Sequence, residues 1–339
     1  MLLKLSNSFN KACYWIATSL LSAAICNPTL ADTSPKLIPS GKIIARSGDT
    51  ITGYHISNPD GPCIAVQNAD HVTIVGNRIG PCGSDPKYSL GIYINQSSDI
   101  QVLNNSFSDV SSALYAVNSN NGKLLFEGNY ATRIRGPKPR GQLVQLNQFS
   151  GPNIAIRCNI SDQAIGGYTN SDGGGGPEDH INIYKSSGTG PSPIQILDNK
   201  IRGGGSKSGG GILAVDDGNG GNVIVNGNIL VEPGQYGLGI PSGSNVQITN
   251  NQIYASQQAW TNVGMYVWNQ YKGTTCANNT VSGNRVLYIG KNGNKNPYWD
   301  SGNCGPVNSS QSNQLNDSSL TNAIWNTAIP ACKNSWRTW

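Results

Sequence analysis

The chain has 339 residues, among them 42 glycines, 18 prolines and 41 asparagines, and only 12% of its residues are charged. Glycine, proline and asparagine are poor helix formers that are common in turns, so this composition excludes a coiled coil, a helical bundle and an ordinary α/β enzyme. It also excludes intrinsic disorder, which combines few hydrophobic residues with high net charge; here 37% of residues are hydrophobic and the net charge is +5. We predict a single all-β domain.

The N-terminal segment has the features of a secretory signal peptide. Lys4 and Lys11 flank the start of an apolar run at residues 12–25, and Thr29-Leu30-Ala31 would form the cleavage site. The apolar run is too short for a membrane span. We therefore predict that residues 1–31 direct Sec-dependent export from a bacterial cell, to the periplasm or the medium. Removing two lysines and no acid changes the net charge from +5 to +3, which does not indicate nucleic-acid binding.

Six cysteines follow the predicted signal peptide. An even number of cysteines in an exported chain predicts disulfides, although six cysteines allow fifteen pairings. The pairs nearest in sequence, Cys63 with Cys82 and Cys276 with Cys304, are the expected ones. With three histidines in the whole chain, no zinc site is expected.

A short phrase recurs along the chain: an alternating apolar run, one or two further residues and then an asparagine, as in Val72-Thr-Ile-Val-Gly-Asn77. Recurrence every 23 to 40 residues is typical of a solenoid. Asparagine tolerates the left-handed conformation of a sharp turn, and its amide can bond to the equivalent amide one coil away. We therefore predict that the recurring asparagines form a structural ladder: Asn77, Asn105, Asn129, Asn159, Asn199, Asn228, Asn251 and Asn284.

A second short strand lies between successive phrases, for example Ile212-Leu-Ala-Val-Asp216. The connections are too short for crossover helices, and coiling about an axis gives parallel strands without them. This pattern resembles the right-handed parallel β-helix of the pectate-lyase-like superfamily over roughly residues 40 to 310. The stretches 178–212, 233–237 and 263–269 also resemble a group of exported bacterial β-helix proteins whose activity is not established.

The resemblance implies an all-β, single-domain, right-handed parallel β-helix of about eight to ten coils with capped ends. Its expected parts are an N-terminal cap at 32–62, the β-helix at 63–309 and a C-terminal cap or tail at 310–339. The superfamily includes lyases, hydrolases, epimerases and binding proteins, so the fold leaves the chemistry open.

Two loops, in the 30-residue gap after Asn129 and the adjacent 40-residue gap after Asn159, carry charged residues. Arginine binds carboxylates through two hydrogen bonds. The cations of the first loop and two more from a later coil would therefore form a basic stripe that binds an acidic glycan. These residues are Arg133, Arg135, Lys138, Arg140, Arg202 and Lys207. A solvated basic loop is the alternative.

The second loop ends in Glu178-Asp179-His180 and leads into the strand Ile181-Asn-Ile-Tyr184-Lys185. Strand alternation predicts that His180, Asn182 and Tyr184 point outward on one face, where histidine, tyrosine or lysine can transfer protons. The alternative is a capped strand edge in which these polar groups have only a structural role.

Asp216 and Asp217 end a strand one coil later. Paired acids are typical of glycoside hydrolases, but they also suit a calcium site or an ordinary turn. Tyr236, Tyr266 and Trp268 supply aromatic faces, either for stacking on sugar rings or for packing within the solenoid.

The sequence favours a lyase that cleaves a uronic-acid-containing polysaccharide by β-elimination. Arg140 and Arg202 would neutralise the substrate carboxylate, His180 or Lys185 would act as the base, and Tyr184 would protonate the leaving oxygen. One alternative is a glycoside hydrolase that pairs Asp216 or Asp217 with Glu178 or Asp179. The other is a non-catalytic glycan-binding or envelope solenoid. Apart from a possible calcium ion no cofactor is expected, and the protein is expected to be a monomer.

Overall fold

The computed structural model describes residues 36–85, 87–136, 141–164, 177–308 and 310–333. The predicted signal peptide lies outside the described residues. From Leu37 onward the chain forms one compact unit, built from short strands that pair only in parallel within three long sheets.

Each coil contributes one strand to each sheet in turn, and sheets 1, 2 and 3 contain 11, 10 and 10 strands. Sheet 1 contains Ile38–Ser40, Tyr54–Asn58, Arg78–Cys82, Ser106–Val110, Tyr130–Ile134, Ile160–Asp162, Lys200–Arg202, Ile229–Val231, Gln252–Ala255, Arg285–Tyr288 and Gln314–Leu315. Sheet 2 contains Ile43–Ala45, Ile64–Gln67, Leu90–Asn95, Ser112–Ser119, Gln142–Phe149, Ile181–Tyr184, Ile212–Asp216, Tyr236–Ile240, Val263–Val267 and Tyr298–Asp300. Sheet 3 contains Thr50–Thr52, Val72–Val75, Ile100–Leu103, Leu124–Glu127, Ile154–Arg157, Ile194–Leu197, Gly221–Asn226, Gly243–Thr249, Cys276–Ala277 and Thr280–Ser282.

The core lies inside the coil, where side chains stack in register from one coil to the next. Alternation along each strand sends every second side chain inward, and β-branched residues suit this pleated surface. Each fully buried aliphatic side chain contributes about 1.5–3 kcal/mol. One inward column of sheet 2 runs through residues that are at most 1% exposed: Ile92, Leu114, Val144, Ile181, Ile212, Leu238 and Met265.

The asparagine ladder is confirmed. It lies in the turns between sheets 3 and 1, and each of its eight predicted members is fully buried. Asn199 is representative: its Nδ2 donates to Asn228 Oδ1 and to the Ile156 carbonyl, each at 2.9 Å. Its Oδ1 accepts from the backbone N–H and the Nδ2 of Asn159, at 3.1 and 2.9 Å. These bonds satisfy the polar groups of turns that have no access to water.

Both predicted disulfides, Cys63–Cys82 and Cys276–Cys304, are confirmed. A third bond joins Cys158 to Cys332, 174 residues away. Disulfides are compatible with an extracellular or periplasmic location.

The third disulfide holds the C-terminal segment against the outer face of sheet 1. There Leu320, Ile324 and Ile329 pack on Ile229 and Val231. The segment contains three 3₁₀ helices, Ser310–Ser312, Asn322–Asn326 and Pro330–Cys332. At the other end, strands of all three sheets already begin within residues 32–62, the segment assigned to a cap.

Candidate functional site

A groove of about 800 Å³ lies on the outer face of sheet 2. Its floor is a column of outward residues that follow one another in register across successive strands. The column runs through Gln145, Asn182, Leu213, Gly239, Tyr266 and Trp299. Parallel strands are about 4.8 Å apart, so each step along the column moves that distance along the solenoid axis.

An irregularity in the strand Ile212–Asp216 turns a carboxylate into this groove. Ala214 and Val215 are adjacent in sequence, yet both are fully buried in the core. The register shifts there, so that Leu213 pairs with Asn182 while Asp216 pairs with Tyr184. An extra residue in one strand is a β-bulge, which changes the direction of the side chains that follow it. Asp216 therefore points outward instead of into the core.

Asn182 connects two carboxyl groups in the groove. Its Nδ2 donates to Asp179 Oδ2 at 2.9 Å and to Asp216 Oδ2 at 3.0 Å. Because both bonds end on one nitrogen, the two carboxyl oxygens are less than about 6 Å apart, close to the 5–5.5 Å that separates the carboxyl groups of retaining glycosidases. The other oxygen of each carboxyl is held by a tyrosine hydroxyl, from Tyr236 for Asp179 and from Tyr271 for Asp216.

The two carboxyl groups have different surroundings. Asp179 is 5% exposed, and burial raises the pKa of its carboxyl to about 7, with Glu178 and Asp216 adding to the increase and the bonds from Tyr236 and Asn182 opposing it. Asp216 is half-buried and faces the open groove. Asp179 can therefore hold a proton near neutral pH.

A second cluster surrounds Asp217. Its Oδ2 accepts from the Tyr184 hydroxyl at 3.0 Å and lies 3.2 Å from Lys185 Nζ. The bonds from Tyr184 and Asp217 raise the pKa of the Lys185 ammonium, which makes that lysine a poorer base at neutral pH. Asp216 and Asp217 thus have separate partners, and among the described residues no group of three or more histidine, cysteine or acidic side chains could hold a metal ion.

Aromatic side chains form the floor and wall of the groove beyond Asp216. The rings of Tyr236 and Tyr266 meet edge to face at 5.3 Å, and those of Trp268 and Trp299 at 5.8 Å. A Cβ at Gly239 would lie 2.5 Å from the Tyr266 ring, so glycine is what allows this ring to lie flat along the floor. The two tryptophans are 41% and 45% exposed, and their faces are open to a ligand.

The predicted outward orientation of His180 is wrong. This side chain is fully buried, with Nδ1 2.8 Å from Ser161 Oγ and Nε2 2.7 Å from the Gly203 carbonyl. The carbonyl can only accept, so Nε2 carries the proton and Nδ1 accepts from the serine. Burial lowers the pKa of the ring to about 4. Strand alternation fails here because His180 precedes the strand, which begins at Ile181.

The predicted basic stripe does not form along the groove among the described residues. Arg133 Nε bonds to Asp109 at 3.0 Å, and Arg135 bonds to backbone carbonyls. Arg202 Nε bonds to Asp162 at 3.0 Å, with its guanidinium 4.4 Å from the Trp325 ring centre. Sequence spacing could not reveal these partners, which come from other coils. Lys138 and Arg140 lie outside the described residues.

Most of the remaining candidates lie together. The groove lining includes Glu178, Asp179, Tyr184, Lys207, Asp216, Asp217, Tyr236, Tyr266 and Trp268. Glu178 accepts bonds from the Ser206 and Ser208 hydroxyls. The sequence did not point to Gln145 or Leu213, and it indicated Asn182 only as an outward residue. Gln145, Asn182 and Leu213 could have been found by aligning the strands coil by coil.

Comparison with known proteins agrees with the fold. Residues 40–160 match a family model described as "Right handed beta helix region". A search of curated proteins found no match. No helix among the described residues has the length and apolar character needed to cross a membrane. The β-helix fold is often found in polysaccharide-active enzymes, although a fold alone does not fix an activity. Because residues 40–160 match this family model and the described chain forms three parallel sheets, the chain is a right-handed parallel β-helix repeat protein.

Proposed function

We propose that this protein is a glycoside hydrolase that binds a polysaccharide in the groove on sheet 2 and cleaves it with Asp179 and Asp216. The observation that carries the proposal is the pair of carboxyl groups, less than about 6 Å apart, that Asn182 joins. Open aromatic faces beside the pair suit sugar rings, which stack on such faces through their apolar C–H groups.

In this mechanism protonated Asp179 donates its proton to the glycosidic oxygen while the Asp216 carboxylate attacks the anomeric carbon. The glycosidic bond breaks, the leaving sugar takes the proton, and a glycosyl ester forms on Asp216. Asp179, now a carboxylate, then removes a proton from water, which attacks the ester and releases the second sugar with retained configuration. The raised pKa of Asp179 suits its role as the acid near neutral pH.

Several features support hydrolysis over the β-elimination that the sequence favours. His180 is buried away from the groove, the pKa of Lys185 is raised, and Arg202 is paired with Asp162. The same proposal includes that residues 1–31 direct export of the protein and that it acts as a monomer.

The test is a panel of acidic and neutral polysaccharides, followed by new reducing ends and by ultraviolet absorbance of unsaturated uronic products. We expect reducing ends without absorbance. Asp216→Asn should lower the rate by about a thousandfold or more, because it removes the nucleophile. The matched control is Asp198→Asn, at a turn carboxylate that does not line the groove, which should keep full activity. Absorbance rising with reducing ends would indicate a lyase, and binding without either signal would indicate a glycan-binding protein.

A further inference from the structure

The part of the groove next to the acid pair offers hydrogen-bond acceptors that the described residues do not satisfy. The Nδ2 of Asn182 must face Asp216, since the Asp216 carboxylate cannot donate, and this fixes the orientation of the amide. The opposite atom, Oδ1, is buried and has no hydrogen-bond partner. A buried carbonyl without a donor costs about 1–3 kcal/mol, a cost that a bound ligand with a donor would remove.

The same feature recurs on the neighbouring strand. Gln145 pairs in register with Asn182, lines the groove and is 7% exposed, and its Oε1 also has no partner. Asn147, two residues further along that strand, has an unpartnered Oδ1 as well. Three amide oxygens on two adjacent strands are therefore without donors among the described residues, and Asp216 lies on the next strand.

The charge at this point is negative. Asp216 is held by the amide of Asn182 and the hydroxyl of Tyr271. No ion pair forms on it within the described part of the chain, whereas Asp217 has Lys185. A half-buried carboxylate bonded only to neutral donors attracts a cation more strongly than one already neutralised.

A sugar hydroxyl can both donate and accept, whereas an ammonium group has three donors, no acceptor and a positive charge. The acceptor-rich surroundings match the ammonium. We propose that the groove binds a glycan containing 2-amino-2-deoxy sugars with free amino groups, whose ammonium contacts Asp216 and the amide oxygens of Asn182 and Gln145. This inference rests on the proposed function for the position of the site, and it names the substrate class.

The test uses three β-1,4-linked hexasaccharides that differ only at C2: glucosamine, N-acetylglucosamine and glucose. Calorimetric titration at mildly acidic pH and low salt, with chromatography to check that the sugars stay intact, measures each affinity. We expect the glucosamine hexamer to bind about tenfold more tightly than the other two, as for hydrogen bonds to charged groups, and the preference to decrease as salt is added.

Gln145→Met keeps the side-chain length but removes the carbonyl, and it should reduce the preference for the glucosamine hexamer severalfold. Trp268→Ala is the matched control, because loss of a stacking face should weaken all three hexamers by a similar factor. Equal affinities, or no binding of any of the three at millimolar concentration, would overturn the inference. Cleavage of a neutral glycan together with equal affinities would support the proposed hydrolysis and overturn this inference. Preferential binding of the glucosamine hexamer with no cleavage of any glycan would support this inference and overturn the proposed hydrolysis.

Discussion

Buried asparagines serve two different purposes in this β-helix. In the ladder each amide bonds to the equivalent asparagine one coil away. In Asn199 both the oxygen and the nitrogen of the amide make hydrogen bonds to neighbouring coils. In the groove Asn182 departs from this arrangement: its nitrogen joins two carboxyl groups and its oxygen has no partner. An amide that recurs in every coil and makes all of its hydrogen bonds stabilises the fold. An amide outside this repeat whose oxygen has no hydrogen bond marks a place where a ligand can bind.

The largest effect should come from breaking the ladder. Asn199→Ala would leave the buried backbone N–H of Asn159 without its acceptor, and it would remove one bond each from the Nδ2 of Asn159 and the carbonyl of Ile156. We expect the free energy of unfolding to fall by about 4 kcal/mol, measured by chemical denaturation. Asn120→Ala, at an exposed turn residue, is the control and should change it by less than about 0.5 kcal/mol. Equal effects of the two substitutions would contradict a structural role for the ladder.

A change in stability of intermediate size should come from Asp179 in the groove, and unlike the effect of the ladder it should depend on pH. The pKa of Asp179 is raised from 3.8 to about 7 in the folded state, so folding favours the protonated form. Its contribution to stability is complete below pH 4 and is lost as the pH rises through 7, by a few kcal/mol in total. Asp179→Asn should remove this loss, which denaturation at pH 5 and pH 8 will measure.

The groups that face Asp179 are the side chains of Tyr236, Glu178, Asn182 and Asp216 and the backbone N–H of Gly210. Asp198→Asn is the control for the pH experiment: burial also raises the pKa of Asp198, but its carboxyl lies outside the groove, so this substitution should leave the loss due to Asp179 in place. If the wild type and Asp179→Asn lose the same stability between pH 5 and pH 8, Asp179 does not hold its proton in the way that its burial indicates.

The smallest effect on stability should come from Asn182→Ala. Each of its two carboxyl partners keeps a tyrosine hydroxyl as a donor once the amide is gone, and its own oxygen has no bond to lose. We expect a loss of about 1 kcal/mol or less, against a decrease in glycan cleavage of at least about a hundredfold. Stability loss as large as that of Asn199→Ala would mean that Asn182 is a structural amide like those of the ladder.

The local repeat of the sequence was enough to predict the coil, the ladder and two disulfides, because each depends on residues close in sequence or repeated at each turn. The repeat also places Asp179, Asp216, Tyr236 and Trp268 in or next to strands of the same sheet, and all four line the groove. The lyase hypothesis assumed a fixed alternation through His180 and free arginines on the surface, and the structure departs from both assumptions.

The sequence by itself therefore determined that this chain is a solenoid and which of its strands carry polar residues. The tertiary structure decided which way those residues face. The bulge at Ala214–Val215, the burial of His180 and the pairing of Arg202 with Asp162 depend on contacts between segments that are about 20 to 40 residues apart. Alternation along a single strand cannot specify the register between such segments, because a shift of one residue sends every side chain to the opposite face.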